Sequence, residues 1–275
     1  MTRDPSDAIA FIGGGNMARS LIGGLVAQGR VPASIRVAEP VDALRDALAA
    51  DFGVAVFANA GEAAAGASAL VLAVKPQVMR TVCGELAGVV SPDALVVSIA
   101  AGITSAQIDR WLGGGRAIVR AMPNTPSLIG QGVTGLFATA AVTTSQRERA
   151  AALLRSGGPT VWIDDEASMD AVTAVSGSGP AYVFLLAEAM QAAAERQGLP
   201  ADAASLLVRQ TIAGAAAMLM QAGEPAPVLR ARVTSPGGTT QAAVETLQAD
   251  GFEALLDRAI ERATQRGREL SAAND

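Results

Sequence analysis

The sequence predicts an α/β fold in which an N-terminal, doubly wound parallel sheet is followed by an all-α domain. Three observations lead to this prediction. Short apolar runs alternate with helical patterns through the first half of the 275-residue chain, a glycine-rich loop follows the first run, and the pattern from Glu166 onward is almost wholly helical. Alternating strands and helices of this length are typical of βαβ units. We therefore predict two domains, residues 1–165 and 166–275.

The predicted N-terminal domain contains seven predicted strands, each a short run rich in Ala, Val, Leu and Ile, as expected for strands buried on both faces. They cover residues 8–13, 34–40, 54–59, 69–76, 94–102, 116–123 and 159–164. Helices are predicted between and after them, where apolar residues recur at helical spacing and glycines such as Gly29 and Gly53 act as stop signals. These helices cover residues 16–29, 41–53, 60–68, 78–90, 104–113 and 145–158, and then 179–198, 200–223, 241–251 and 252–270.

The composition excludes several classes of chemistry. The chain has no histidine, so Ser-His-Asp triads, histidine zinc sites and histidine general bases are all absent. Its single cysteine, Cys83, excludes an intramolecular disulfide and a cysteine-cluster metal site, and it fits a reducing cytoplasm. The formal net charge of −5 argues against nucleic acid as a partner. We expect an enzyme of this composition to work without a metal.

The sequence indicates a cytoplasmic protein without a membrane partner. The N-terminal stretch "MTRDPSDAIAFIGGG" has no basic segment followed by a long apolar run, so we predict no signal peptide. No uncharged apolar stretch approaches the roughly 18 residues that a membrane span needs. The predicted helix over residues 200–223 is rich in Ala and Gly all round, which favours a subunit interface because small side chains allow helices to pack closely.

The loop "FIGGGNMARSL" carries the first chemical motif. Gly13, Gly15 and Ala18 fit the pattern G-x-G-x-x-[GA] between a strand and a helix. The first glycine makes a tight turn, the second lets a pyrophosphate approach the backbone, and the small third residue lets the helix pack on the strand. We predict that Gly13, Gly14, Gly15, Asn16, Met17 and Ala18 bind a dinucleotide. A glycine-rich turn without a ligand is the alternative.

Glu39 ends the second predicted strand, where dinucleotide folds place the residue that reads the adenosine ribose. An acid there would accept a hydrogen bond from the ribose 2′-hydroxyl of NAD and repel the 2′-phosphate of NADP. A solvated glutamate at a strand end is the alternative. Arg36 and Arg45 lie nearby in sequence and could restore NADP binding, so the choice between the two cofactors stays open.

Two further motifs end strands at the same predicted edge of the sheet. "LAVKPQ" places Lys75 and Pro76 after the fourth strand, and "RAMPNTP" brackets Asn124 and Thr125 between two prolines. Ligands in open α/β folds bind at the carboxyl ends of the strands. The alternatives are a lysine that extends into solvent and a rigid turn between domains.

Two glycine-rich loops interrupt the helical half. "VSGSGPAYVF" has no charge, so close packing at an interface is its better interpretation. "VTSPGGTTQAA", residues 233–243, combines hydroxyls with the N-terminus of a predicted helix, whose free amides suit a carboxylate without arginine. A Ser/Thr-capped helix start is its alternative.

Taken together, these motifs resemble those of the pyrroline-5-carboxylate reductase family. "FIGGGNMA", "AVKPQ", "VVSIAAGI", "RAMPNTP", "VSGSGPAY" and "VTSPGGTT…AVETLQADGF" occur in that family's order and approximate spacing, over nearly the whole chain. The resemblance implies an N-terminal Rossmann domain and a C-terminal helical domain that dimerises, often assembling further into a decamer. It implies reduction of L-1-pyrroline-5-carboxylate to L-proline by NADPH or NADH, the last step of proline biosynthesis.

The resemblance also implies roles for individual residues. Besides the glycine loop and Glu39, it places at the cofactor Asn59, Ala73, Val74, Lys75, Pro76, Ala101, Met122, Pro123 and Asn124. It places at the substrate Glu166, Ser235, Gly238, Thr239 and Thr240. The hydroxyl of Thr240 lies near the ring nitrogen in the family, which makes Thr240 the expected catalytic residue. A protonated cyclic imine accepts hydride without a strong enzymic acid, which is consistent with the missing histidines.

Three other functions compete with this interpretation. Hydroxyacid and prephenate dehydrogenases usually depend on a catalytic lysine or histidine in their helical half, and residues 166–275 contain neither. A sensor that binds NAD(P) without turnover would have no reason to keep a donor-rich helix start in its second domain. A homologous cyclic imine as substrate stays open, because one methylene changes pocket affinity by only about 1–3 kcal/mol.

Overall fold

The computed structural model describes residues 8–274. Residues 1–7, which belong to the segment in which we predict no signal peptide, and residue 275 lie outside this range. The chain divides into two compact units. The first comprises the residues up to Ser178 together with those from Arg262 onward, and the second comprises Gly179–Glu261.

The first unit is built on an eight-stranded sheet with the order β3-β2-β1-β4-β5-β6-β7-β8. Its strands are β1 Ile9–Ile12, β2 Ile35–Ala38, β3 Ala55–Phe57, β4 Ala69–Leu72, β5 Leu95–Ser98, β6 Ala117–Met122, β7 Thr134–Ala138 and β8 Thr160–Trp162. Neighbouring strands are parallel except for the β6–β7 pair. The chain crosses back to the middle of the sheet after β3, so the sheet is doubly wound and the predicted α/β class is confirmed.

The antiparallel strand β7 is a difference from the predicted parallel sheet. It covers Thr134–Ala138, in a stretch for which the sequence predicts no strand, and it pairs with β6 in the opposite direction. Parallel neighbours need a crossover of a dozen or more residues, usually a helix. The segment between β6 and β7 holds only a short 3₁₀ turn, Thr125–Ile129, so the chain reverses direction there.

Helices cover both faces of the sheet, and each face has its own apolar core. Ile9 and Phe11 of β1 face the core formed with α1 (Asn16–Ala27) and α6 (Thr144–Leu154), whereas Ala10 and Ile12 face the opposite core. Successive side chains of a strand point to opposite faces, which explains the continuous apolar runs. Cys83 lies in the second core, and burial raises the pKa of its thiol to about 12.

The remaining helices follow the predicted pattern, with three additions. Those of the first unit are α2 Asp42–Phe52, α3 Ala60–Ala64, α4 Pro76–Leu86, α5 Ser105–Trp111 and α7 Met169–Val172. Those that follow are α8 Gly179–Arg196, α9 Ala201–Gln221, α10 Ala226–Arg232, α11 Thr239–Ala249 and α12 Phe252–Ala273, whose C-terminal part belongs to the first unit. The predicted helices include neither α7 nor α10, and they do not include the π-helical turn Thr173–Gly177 between α7 and α8.

The helix α9 is long and apolar enough to cross a membrane by length and composition alone. Only 11% of its most apolar window is buried within the single chain. Leu206 and Leu207 of this helix are 62% and 55% exposed. An exposed apolar surface of this extent is typical of interaction sites.

A buried cluster of charges joins the end of the sheet to α7. Arg120 of β6, whose side chain is 4% exposed, contacts Glu166 at 3.3 Å and Asp170 at 3.5 Å. A buried charge needs paired and hydrogen-bonded partners because transfer out of water is costly. The two acids, from the segment just before α7 and from α7 itself, therefore tie this segment to the sheet.

We expect Arg120→Met to destabilise the protein by about 3–5 kcal/mol, because it leaves the partners of a buried ion pair without compensation. Urea unfolding followed by circular dichroism measures this change at fixed protein concentration. The control is Arg262→Met, which removes an exposed ion pair with Glu269, and we expect it to leave the midpoint unchanged. Equal effects of the two substitutions would contradict the assignment of Arg120 as a buried anchor.

Candidate active site

The glycine loop between β1 and α1 lies at the carboxyl edge of the sheet, beside the end of β4. Gly13 has a φ of +103°, and a Cβ atom there would lie 2.7 Å from the carbonyl oxygen of Ala73. Gly15 instead faces open space, with no described atom within 4 Å of a Cβ built on it. Gly15 is the N-cap residue of α1, and it provides no side-chain cap. The first N–H groups of α1 are therefore available to an anion such as a pyrophosphate.

The next residues of the loop fit the same arrangement. Asn16 is exposed and Met17 is half-buried, whereas Ala18 is 1% exposed and packs in the core against the sheet. A small side chain at this third position lets α1 approach β1 closely. These placements agree with a dinucleotide loop, and the binding roles of the individual residues stay predictions.

Glu39 is fixed in place by backbone amides. Its side chain is buried, with the residue 7% exposed, and Oε2 accepts a hydrogen bond from Gly14 N at 3.0 Å. Oε1 accepts a second hydrogen bond from Val41 N at 3.1 Å. The carboxylate thus stabilises the glycine loop through the backbone amide of Gly14. Each carboxylate oxygen can accept more than one hydrogen bond, so a contact with a ribose hydroxyl stays compatible with these bonds.

The two arginines near Glu39 are engaged with the backbone. Arg36 Nη1 donates to the carbonyl oxygen of Ala65 at 2.6 Å. Arg45 Nη1 donates to the carbonyl oxygen of Glu39 at 2.8 Å, and its Nη2 pairs with Asp42. Arg45 therefore lies at the end of β2, where a 2′-phosphate would be bound, whereas Arg36 is directed to the loop before β4.

The predicted nicotinamide-side residues line the same edge. Ala73 N donates to the carbonyl oxygen of Ile12 at 2.8 Å, which extends the pairing of β1 and β4 beyond the strands. Lys75 is exposed and precedes α4, which begins with Pro76, while Val74 is half-buried. Ala101 follows β5, the next strand in the sheet. The carboxyl ends of β1, β4 and β5 are thus adjacent, as the prediction requires.

Asn59 follows β3 and acts as the N-cap of α3. Its Oδ1 accepts hydrogen bonds from Gly61 N at 2.7 Å and Glu62 N at 3.3 Å. The side chain is exposed, and its Nδ2 group is not used by the cap. A cofactor contact through this amide nitrogen stays a prediction.

The segment Met122–Asn124 ends β6, the neighbour of β5. Asn124 Nδ2 donates to the carbonyl oxygen of Ser176 at 3.1 Å, and Asn124 Oδ1 accepts from Val133 N at 3.0 Å. Both ends of this amide are thus bonded to the backbone. Pro123, between the end of β6 and Asn124, restricts the backbone φ angle at this position.

Glu166 forms its hydrogen bonds and its ion pair with residues of the first unit. Its two carboxylate oxygens accept hydrogen bonds from Ser105 N at 2.7 Å and from Ser105 Oγ at 2.5 Å. It also pairs with Arg120. Glu166 therefore holds the first residue of α5, and the substrate contact implied by the resemblance is an additional role that stays a prediction.

The predicted carboxylate loop lies in the second unit, between α10 and α11. Gly238 is the N-cap residue of α11. Its backbone is extended, with φ −86° and ψ 170°, and it provides no side-chain cap. Gly238 N donates to the carbonyl oxygen of Ser235 at 3.0 Å, and Gly237 N donates to Gln241 Oε1 at 2.6 Å. The first amides of a helix have no intrahelical acceptor, so the amides that follow Gly238 are the ones left for an anion.

Sequence reasoning missed the buried ionic and hydrogen-bonded contacts around Glu166 in the first unit. These contacts involve Ser105, Arg120 and Asp170. Arg120, inside the otherwise apolar stretch "AIVRAM", was the available signal, because a strand buried on both faces rarely carries an unpaired charge. No group of three or more His, Cys, Asp or Glu side chains within residues 8–274 could hold a metal ion.

Comparison with known families matches both halves of the chain. Residues 166–270 match the family described as pyrroline-5-carboxylate reductase dimerisation. Residues 8–102 match the family described as NADP oxidoreductase, coenzyme F420-dependent. The first match starts at Glu166 and includes the loop that begins α11.

Individual relatives agree with these matches over nearly their whole length. A pyrroline-5-carboxylate reductase of Pseudomonas aeruginosa is 52% identical over 263 residues, which cover 96% of each chain. The solved structure of a Coxiella burnetii pyrroline-5-carboxylate reductase is 41% identical and superposes with a TM-score of 0.92, covering 97% of this chain and 99% of the other. A Plasmodium falciparum pyrroline carboxylate reductase, solved with NADP bound, is 27% identical with a TM-score of 0.85, covering 96% and 98%.

The predicted resemblance is thereby confirmed. The family is one of oxidoreductases that reduce pyrroline-5-carboxylate to proline with NADPH or NADH. On the identity, coverage and fold given above, this chain belongs to the pyrroline-5-carboxylate reductase family.

Proposed function

We propose that this chain reduces L-1-pyrroline-5-carboxylate to L-proline in the cytoplasm, as the last step of proline biosynthesis, with the residue roles predicted above. The observation that carries this proposal is the start of α11, where Thr239 and Thr240, directly after Gly238, offer amides and hydroxyls without an acidic residue in the first turn. An anionic substrate is stabilised at such a helix start. The family match over this segment supports the same interpretation.

The proposed reaction needs no strong acid from the protein. A dinucleotide held at the sheet edge would supply a hydride to the carbon of the C=N bond, and the electron pair of that bond would pass to nitrogen. A substrate that enters with its nitrogen protonated becomes the amine directly. The protein must then hold the carbon within about 3–3.5 Å of the donor. Positioning of this kind does not need an acid–base side chain, which is consistent with a chain of 275 residues without histidine.

The residues that would hold the cofactor come from the carboxyl edge of the sheet. The open start of α1 suits the pyrophosphate, and the ends of β4, β5 and β6 suit the nicotinamide side. The proposed cofactor contacts are Gly13, Gly14, Gly15, Asn16, Met17, Ala18, Glu39, Asn59, Ala73, Val74, Lys75, Pro76, Ala101, Met122, Pro123 and Asn124.

The substrate carboxylate is proposed to bind at the start of α11. Because Gly238 N is engaged by the carbonyl oxygen of Ser235, the amides of Thr239 and Thr240 are the main donors, with the Ser235 hydroxyl beside them. Glu166 is proposed to contact the ring as well. The Thr240 hydroxyl orients the imine nitrogen.

The direct test is oxidation of NADPH and of NADH by the purified protein with and without pyrroline-5-carboxylate. A substrate-dependent loss of reduced-cofactor absorbance supports the proposal. Binding of the cofactor without any substrate-dependent oxidation would instead indicate a sensor without turnover.

Thr240→Ala is expected to lower kcat by about 10²-fold, the low end of the range for acid–base catalysis, because the imine loses its orienting hydroxyl. Steady-state kinetics with pyrroline-5-carboxylate measures the change. Thr240→Ser keeps the hydroxyl and should recover most of the rate. Thr246→Ala, whose hydroxyl donates to the carbonyl oxygen of Ala242 further along α11, serves as the control. Unchanged kcat and KM in Thr240→Ala would refute the catalytic assignment.

Glu39→Gln is expected to shift cofactor preference toward NADPH, because it removes a negative charge from the place where a 2′-phosphate would bind. We expect the ratio of kcat/KM with NADPH to kcat/KM with NADH to rise about tenfold, equivalent to about 1.4 kcal/mol. Asp46→Asn makes the same charge change at an exposed position of α2 and should leave the ratio unchanged. A fall in the ratio for Glu39→Gln would show that Glu39 does not repel the phosphate.

Residues 1–165 are proposed to act as the dinucleotide domain and residues 166–275 as the helical domain. The helical domain is proposed to pair in a homodimer that assembles further into a decamer. The dimerisation match over residues 166–270 supports the pairing. So does the apolar surface of the second unit, where Phe184 and Leu185 of α8 are 63% and 65% exposed. Such a surface is costly to leave in water.

Sedimentation at micromolar concentration should therefore show a dimer or a larger assembly. Leu206→Glu is expected to shift the protein toward monomer, because burying an unpaired carboxylate at an apolar interface is unfavourable. Gln28→Glu adds the same side chain to an exposed position at the end of α1 and should not change the assembly. A wild-type monomer at this concentration would contradict the proposal.

A further inference from the structure

A π-helical turn, Thr173–Gly177, separates α7 from α8. Ser178 N donates to the carbonyl oxygen of Thr173 at 2.8 Å, across five residues rather than the four of an α-helix. The hydroxyls of Thr173 and Ser176 donate to the carbonyl oxygens of Met169 and Val172, both at 2.9 Å. Turns of this kind are rare, short and frequent at functional sites.

The carbonyl oxygen of Ser176 has lost its helical donor. In a regular α-helix it would accept a hydrogen bond from the N–H of residue 180, and residue 180 is proline, which has none. A partly buried carbonyl needs another partner. Asn124 Nδ2 provides one, because it donates to this oxygen at 3.1 Å. A side chain from the end of β6 thus replaces the missing backbone donor.

The opposite end of the same amide holds a second segment. Asn124 Oδ1 accepts from Val133 N at 3.0 Å, at the start of the antiparallel strand β7. The orientation of the amide is determined by its partners, since one is a donor and the other an acceptor. Asn124 therefore bridges β6, the loop before β7 and the π-helical turn.

Close packing leaves little freedom around this bridge. A Cβ atom on Gly132 would lie 2.8 Å from Asn124 Oδ1, and one on Gly177 would lie 2.6 Å from Cε of Met122. Both approaches are shorter than ordinary van der Waals contacts allow. The π-helical turn and the segment Met122–Asn124 are thus packed without space for a side chain between them.

We propose that Asn124 is a positioning residue that sets the place of Met122–Asn124 through Ser176 and Val133, and that the π-helical turn is the fixed support for this segment. This inference rests on the proposed function, which assigns the segment to the wall of the nicotinamide site. A displacement of about 1 Å at a reacting centre can cost up to about 10²-fold in rate. Both polar ends of the side chain are already bonded to the backbone, so the side chain acts on catalysis through these bonds. The cofactor contact proposed for Asn124 is then made by its backbone.

The first experiment uses Asn124→Asp, which keeps the oxygen that accepts from Val133 N and places an oxygen against the carbonyl oxygen of Ser176. We expect kcat for pyrroline-5-carboxylate to fall about tenfold or more, while the Kd for NADPH, measured by fluorescence titration, changes by less than about twofold. Gln131→Glu makes the same charge change at an exposed position of the same loop and should leave both values unchanged.

The second experiment tests the route of the effect. Pro180→Ala restores an N–H at the position that an α-helix would use for Ser176. In an Asn124→Ala background we expect it to recover a substantial part of the lost kcat, because the carbonyl oxygen regains a donor. A residue that acts by touching the cofactor gives no such rescue. This pair of variants also decides the question if Asn124→Asp does not fold.

Hydrogen–deuterium exchange provides a readout that does not depend on turnover. Peptides covering residues 130–135 and 173–178 should exchange faster in Asn124→Asp than in the wild type and in Gln131→Glu. If the wild type shows no substrate-dependent oxidation, the proposed function fails while this measurement still tests the bridge. Unchanged exchange, or a rise of about tenfold in the Kd for NADPH at unchanged kcat, would overturn the inference.

Discussion

The buried ion pairs of the Arg120 guanidinium hold the carboxyl end of β6 and the segment around α7 together. A charge in the middle of an apolar sheet is tolerated only with close partners, so two acids must come to it from later in the chain. Glu166 and Asp170 do so, and their segment is thereby fixed against β6. Glu166 also accepts hydrogen bonds from Ser105. One arginine therefore connects β6, the start of α5 and the residues that lead into the helical half.

The residues that form these bonds lie close in sequence to the predicted nicotinamide-side residues. Ser105 begins the helix that follows Ala101, and Arg120 lies two residues before Met122 in β6. The bonds of Glu166 to Ser105 and Arg120 and those of Asn124 to the backbone hold the two neighbouring strand ends by different means. Rigid supports of this kind place reacting groups better than flexible loops do. The backbone segments of the candidate site are thus held in place by the side chains of Arg120, Glu166 and Asn124.

The sequence predicts the sheet and most helices because their signals are local. The run from Ile9 to Ile12 is apolar at every position since both faces of β1 are buried. The antiparallel β7 and the π-helical turn have no such signal, because they follow from a short connection and from bonds to distant residues. The glycine loop was predictable from its spacing, whereas the bonds of Glu39 to Gly14 and of Asn124 to Ser176 join residues far apart in the chain. Local patterns cannot reveal such contacts.

The absence of histidine determines where the pH dependence of the proposed reaction originates. Histidine is the only side chain whose unperturbed pKa lies between about pH 5 and 8, and the chain has none. Burial raises the pKa of Cys83 to about 12, so this thiol stays neutral in the same range. The proposed carboxylate donors are backbone amides and hydroxyls, which do not titrate there. The proton that makes the imine reactive is then governed by the substrate itself, and the contribution of the protein is to hold that substrate in position.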